Sequence, residues 1–92
     1  MSQKVNILYL DDDRENLVGF AATFGKRYNI FEAQTIKQAR SILSEQDIQI
    51  AIIDFKMPEM DGVDFVNIEQ KRTPHIIFII ISAYTDNSIV IK

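Results

Sequence analysis

Two kinds of segment alternate along the chain. Short apolar runs rich in β-branched residues fall at residues 7–10, 30–31, 50–53 and 76–81. The third and fourth are apolar throughout, the pattern of strands buried on both faces of a parallel sheet. Between the runs the spacing becomes helical. Leu17, Phe20, Ala21, Phe24 and Tyr28 recur at three and four, so residues 14–26 read as an amphipathic helix. Ile36, Ala39 and Leu43 repeat the pattern, and Thr35 followed by Gln38 has the form of a capping box. Val63, Phe65, Val66 and Ile68 follow Asp61-Gly62 and make a third helix ending near Arg72, where Thr73-Pro74 breaks it. Residues 86–92 read as the start of a fourth helix. The alternation predicts right-handed crossovers and one open, doubly wound α/β sheet. Ligands on such sheets sit beyond the carboxyl ends of the strands. The chemistry is therefore expected just after Leu10, Ile53 and Ile81.

Composition narrows the function classes. The chain of 92 residues has the length of one small domain. A net charge of −3 argues against broad phosphate neutralisation on a nucleic acid and against a basic helix lying on a membrane. The absence of Cys excludes disulfides, thiolate chemistry and Cys-based zinc sites. The N-terminus has no signal-peptide pattern, and the apolar stretch from Ile76 to Ile81 is far too short to span a bilayer. A cytoplasmic domain is the expectation.

Acids gather where the fold predicts the site. Asp11, Asp12 and Asp13 follow the first strand, and Asp54 follows the third. Like charges in a partly buried cleft raise the cost of ionising one another, and a hard divalent cation removes that cost. Oxygen donors without Cys or His suit Mg²⁺, with Mn²⁺ as an alternative. Asp13 reads better as the cap of the following helix, a role Asp12 could share. Asp54 closes a run so apolar that a charge there is expensive without a partner. After it, Phe55-Lys56-Met57-Pro58-Glu59-Met60-Asp61-Gly62 is a shaped loop, with Pro58 fixing φ and Gly62 permitting unusual backbone angles. Ser82, after the fourth strand, offers a hydroxyl that can donate to a phosphoryl oxygen or simply satisfy the backbone.

Together the segments ILYLDDDRENL, IAIIDFKMPEMDG and IIFIIISAYTD closely resemble the receiver domain of two-component response regulators. The resemblance runs along essentially the whole chain. It implies a flavodoxin-like doubly wound parallel sheet in the order 2-1-3-4. It implies Asp54 as phospho-acceptor, and Asp11, Asp12, Asp54 and the backbone carbonyl of Lys56 as Mg²⁺ ligands. Ser82 and Ala83 become the switch that moves the loop after the fourth strand, and the side chains of Lys56 and Tyr84 become modulators of phosphoryl lifetime. The implied partners are a sensor histidine kinase or phosphotransfer protein and a C-terminal effector domain outside this chain. No enzymatic activity is implied beyond the domain's own phosphorylation and dephosphorylation.

The chain departs from the family's pattern at its C-terminal end. Residues 1–92 read as a receiver incomplete there, lacking the fifth strand with its lysine and aromatic switch residue, and the fifth helix. The stretch from Ile76 to Ile81 would then be a bare apolar edge strand, open to self-association. Two other readings stand beside the receiver. A haloacid-dehalogenase-like phosphatase would use Asp11 as nucleophile and Asp13 as general acid. An interaction module would keep the fold without phosphorylation. His75 is expected on an exposed loop at the opposite end of the sheet, Phe20 and Phe24 as core filler, and Lys71-Arg72 as a solvated helix end.

Overall fold

The β-branched runs do become strands, and each is placed by an alternation of faces. The structure, a computed structural model, describes residues 4–81 and 89–91. Strands β1 (Asn6–Leu10), β2 (Asn29–Ala33), β3 (Ile50–Asp54), β4 (Ile77–Ile81) and β5 (Ile89–Ile91) form one sheet in the order β2-β1-β3-β4-β5. The first four are parallel. Helices α1 (Arg14–Phe24), α2 (Ile36–Glu45) and α3 (Gly62–Arg72) supply the crossovers. The doubly wound parallel order 2-1-3-4 is thus the observed one.

Successive strand residues point to opposite faces. Leu8, Leu10, Ala51, Ile53, Phe78 and Ile80 face α2 and α3, where Ile36, Ala39, Phe65 and Val66 close the main core. Ile7, Tyr9 and Ile52 face the other way, against Leu17 of α1. A row of aromatic rings, Tyr9, Phe20, Phe24 and Tyr28, runs along α1 with centroids 4.7, 4.8 and 6.4 Å apart. Phe20 is half-buried in this row, but Phe24 is 39% exposed and lies at the surface rather than in the core.

Each helix starts on a side chain that accepts a free backbone N–H. Asp13 accepts from Glu15, Thr35 from Gln38 and Asp61 from Asp64. The box at Thr35 is shifted by one residue, because Gln38 Oε1 accepts from the amide of Gln34 at 2.8 Å. Replacing Thr35 with Ala should cost about 1 kcal/mol, read as a lower urea midpoint with an unchanged slope. An unchanged midpoint would show that the cap contributes nothing.

Two expectations at the C-terminal end need correction. Residues 89–91 form a strand, not helix: Ile79, Ile80 and Ile81 pair antiparallel with Ile91, Val90 and Ile89. Three consecutive β-branched residues favour extended backbone beside an open edge. The stretch from Ile76 to Ile81 is therefore not a bare edge, since its last three residues are paired. Ile76 itself is buried and precedes the strand. α1 also stops at Phe24, two residues short of the expected end.

A buried acid holds the two helices of the main face together. Glu69 of α3 is 3% exposed, and its Oε2 lies 3.0 Å from Arg40 Nε of α2 and 3.6 Å from an Arg72 nitrogen. Arg40 also lies over the Phe65 ring, 5.8 Å from its centroid. Arg72 is exposed, as expected, yet reaches back to this pair. His75 is exposed in the turn before β4, at the end of the sheet away from the acids.

Candidate functional site

Register brings the acids together. Leu10 of β1 lies beside Ile53 of β3, and Asp54 lies beside Ile81 of β4. The residue after Leu10 therefore arrives level with Asp54. One carboxylate oxygen from each of Asp11, Asp12 and Asp54 lies within 4.8 Å of the others. Asp11 is buried, Asp54 half-buried and Asp12 exposed, so the cluster opens to solvent through Asp12.

The cluster is electrostatically costly. Burial and, next, the carboxylate of Asp11 push the Asp54 carboxyl up from its ordinary 3.8 to about 6, with Asp12 adding to the rise. Backbone amides of Lys56 and Phe55 pull the other way without cancelling it. Three oxygens of like charge at this spacing, with no nitrogen or sulfur donor in the group, suit a hard divalent cation such as Mg²⁺. Part of the rise at Asp54, after burial, is repulsion from Asp11 and Asp12 that such a cation would relieve.

Asp11 is also held by protein donors. Its Oδ2 accepts the Tyr9 hydroxyl at 2.8 Å and Asn16 Nδ2 at 3.0 Å, and its Oδ1 accepts the amide of Asp13 at 2.9 Å. Burial first, then the hydrogen bond to Asp11 and the nearby carboxylates, keep the Tyr9 hydroxyl protonated far above its usual range. The sequence reading missed both Tyr9 and Asn16. Tyr9 looked like one more apolar strand residue. Its i, i+2 spacing to Asp11, which puts both side chains on one side of β1, was the available signal.

The loop after Asp54 folds back on itself. Lys56 and Asp61 form an antiparallel bridge, and the Gly62 amide donates to the Phe55 carbonyl at 2.6 Å. A Cβ on Gly62 would lie 2.7 Å from the Asp54 carbonyl oxygen and 3.0 Å from the Phe55 Cα. The glycine is needed for this close approach and not for a left-handed backbone angle, which corrects the sequence-based reason. Met57 is buried in the main core, and Glu59 Oε1 accepts from the amide of Ile36 at 3.2 Å. The loop is thus tied to the start of α2.

Of the other residues singled out, Lys56 is exposed beside the cluster. Asp13 caps α1 and stands outside the clustered acids. Ser82, Ala83 and Tyr84 lie outside the described residues. A groove of about 690 Å³ among α1, β2 and α2, lined by Arg14, Glu32 and Lys37 among others, takes in none of the three clustered acids. No helix among the described residues is long and apolar enough to cross a membrane.

Comparison with known proteins agrees with this geometry. The family described as the response regulator receiver domain matches residues 7–92. The hydrogenase transcriptional regulatory protein HoxA of Cupriavidus necator is 29% identical over 92 residues, which cover 99% of this chain and 19% of HoxA. This chain therefore spans about a fifth of HoxA's length. The probable chemotaxis protein CheY of Rhizobium etli is 31% identical over 94 residues, covering 98% of this chain and 73% of that protein. The crystal structure of a CheY-like receiver domain protein from Methanospirillum hungatei superposes with a TM-score of 0.83 at 22% identity. It covers 91% of this chain and 68% of its own, and it speaks to the fold alone. The matched family spans the acids and the strands that carry them, and the chain belongs to the response regulator receiver domain family.

Proposed function

We propose that this domain is a phosphorylation-dependent signalling receiver whose phospho-acceptor is Asp54. The observation that carries the reading is the convergence of Asp54 with Asp11 and Asp12 at the strand ends. A carboxylate that is half-buried, flanked by two further acids and at the mouth of the sheet can attack phosphorus in line. An Asp54 oxygen forms the new O–P bond, the P–N bond of a partner's phosphohistidine breaks, and its electron pair returns to the imidazole, which takes up a proton. The product is an acyl phosphate. Asp11, Asp12, Asp54 and the backbone carbonyl of Lys56 would hold Mg²⁺, or Mn²⁺ in its place. The bound cation supplies neutralisation of the charge that otherwise keeps an anionic donor from an anionic acceptor. The chain's own contribution is position: the Asp13 amide, Tyr9 and Asn16 fix Asp11, and the Gly62 approach fixes the backbone at Asp54.

Ile81 is the register partner of Asp54, and Ser82 is the next residue in the chain. In this reading Ser82 donates to the phosphoryl group, Ala83 leaves room for it, and Lys56 and Tyr84 tune its lifetime. The added charge, roughly −1.5 to −2 by analogy with hydroxyl phosphates, biases the segment after β4 between two arrangements. The domain works in the cytoplasm, its partner is a sensor histidine kinase or phosphotransfer protein, and the output belongs to an effector domain. The domain catalyses only its own phosphorylation and dephosphorylation. The phosphatase alternative needs Asp13 as general acid, but Asp13 Oδ1 is engaged by the Glu15 amide at 2.9 Å.

Incubating the chain with acetyl phosphate tests the reading. A hydroxylamine-labile phosphoryl adduct should form with Mg²⁺ and be absent when the metal is chelated. Equal labelling with and without divalent cation would reject the metal-assisted receiver.

A further inference from the structure

Three protein donors converge on the Asp11 carboxylate. Tyr9 is 7% exposed, and its ring is fixed against Phe20 at a centroid distance of 4.7 Å. Its hydroxyl donates to Asp11 Oδ2 at 2.8 Å. Asn16, an exposed residue on the first turn of α1, donates to the same oxygen at 3.0 Å. The Asp13 amide takes Oδ1. A carboxylate has about four acceptor positions. Three are filled by protein donors from two different elements and the loop joining them. The one that remains has a fixed direction, since the carboxyl group cannot rotate without breaking all three bonds.

We infer that Tyr9 and Asn16 are positioning residues that lock the orientation of the Asp11 carboxylate, one of the acids that would hold a divalent cation. The inference rests on the receiver reading and deepens it. Neither residue touches the reacting atoms. They act through Asp11, as partners behind a metal ligand commonly do, where losing one typically weakens binding about 10- to 100-fold. The arrangement also explains why a tyrosine stands among Ile7, Leu8 and Leu10 in β1. Leucine or phenylalanine would fill the space beside Phe20 and Ile52, but neither would reach Asp11 with a donor.

The test is calorimetric titration of Mg²⁺ into the intact chain, with Tyr9→Phe, Asn16→Ala and the double variant beside it. Tyr9→Phe should raise the Mg²⁺ dissociation constant about tenfold. It should also raise, by the same factor, the Mg²⁺ concentration giving half-maximal labelling by acetyl phosphate. Labelling at saturating Mg²⁺ should stay within about twofold of the parent, because Asp54 is untouched. Asn16→Ala should weaken binding in the same sense. The double variant should lose less than the product of the single losses, since both donors hold one oxygen. A purely structural tyrosine would lower the metal-free melting temperature and leave the Mg²⁺ titration where it was. That result, in a Tyr9→Phe chain with native circular dichroism, overturns the inference while the receiver reading stands. Should Tyr9→Phe fail to fold, an Asn16→Ala chain with unchanged Mg²⁺ affinity overturns it equally. A parent chain that takes up no Mg²⁺ overturns the inference and the metal-assisted reading together.

Discussion

Replacing Asp54 with asparagine should abolish acyl-phosphate labelling and, at the same time, make the metal-free domain more stable at neutral pH. The first effect follows from the nucleophile. An amide oxygen carries no negative charge to form the O–P bond, so labelling should fall to background. The second follows from linkage. In the folded domain the Asp54 carboxyl is pushed up to about 6 by burial and by Asp11, whereas the unfolded chain leaves it near 3.8. The folded state therefore disfavours the ionised form. Below about pH 4 both states hold the proton and Asp54 costs nothing. The penalty grows between about pH 4 and 6, where the unfolded chain has lost the proton and the folded domain still holds it, and above that it is constant. A rise of about two units corresponds to nearly 3 kcal/mol, which partial exposure of Asp54 reduces to about 1–2 kcal/mol. Urea denaturation of Asp54→Asn without metal should show that gain at pH 7.5 and little of it at pH 4. Mg²⁺ should stabilise the parent more than the variant, because cation and ionised Asp54 support each other. A variant less stable than the parent at pH 7.5 would mean that the cluster is not under charge strain.

The second large effect is expected at Gly62. A methyl group there meets the Asp54 carbonyl oxygen at 2.7 Å, with the Asp54 carbonyl carbon at 3.3 Å. Both atoms belong to the backbone at the end of β3, so neither can move aside as a flexible side chain would. Overpacking of this sort costs about 1–3 kcal/mol, while the gain in helix propensity at the first residue of α3 offsets less than 1 kcal/mol. Gly62→Ala should therefore lose about 2 kcal/mol of stability. Relief of the clash must displace either α3 or the peptide of Asp54. Displacing the acceptor by a fraction of an ångström should slow labelling by at least about tenfold, in line with the steep dependence of phosphoryl transfer on position. A Gly62→Ala chain with parental stability and labelling rate would show that the close approach is not needed.

Much of this was readable in residue order alone. The strands followed from runs such as Ile50-Ala51-Ile52-Ile53, because apolar, β-branched residues on both faces belong in a parallel sheet. Once the sheet was parallel, Asp11, Asp12 and Asp54 had to emerge at the same end, so their meeting was a consequence of topology. The caps at Asp13 and Thr35 were local and equally legible. What escaped depended on contacts between distant residues or on backbone proximity. Glu69 is buried by an arginine 29 positions away, and a helical surface pattern gives no sign of that partner. The Tyr9 hydroxyl hid inside an apolar run that needed its ring. Gly62 was noticed for conformational freedom, when its missing Cβ is what the Asp54 peptide requires. Residues 86–92 read as the start of a helix, but residues 89–91 form a strand. The open edge of β4 gave the extended alternative a partner.

The account depends on Asp54 being the residue that carries the phosphoryl group. Borohydride reduction of the phosphorylated chain, followed by peptide mass spectrometry, tests this directly, because an aspartyl phosphate is reduced to homoserine. The account predicts homoserine at position 54 and unchanged aspartate at positions 11, 12 and 13. Homoserine at position 11, or its absence from a chain shown to be phosphorylated, would contradict it.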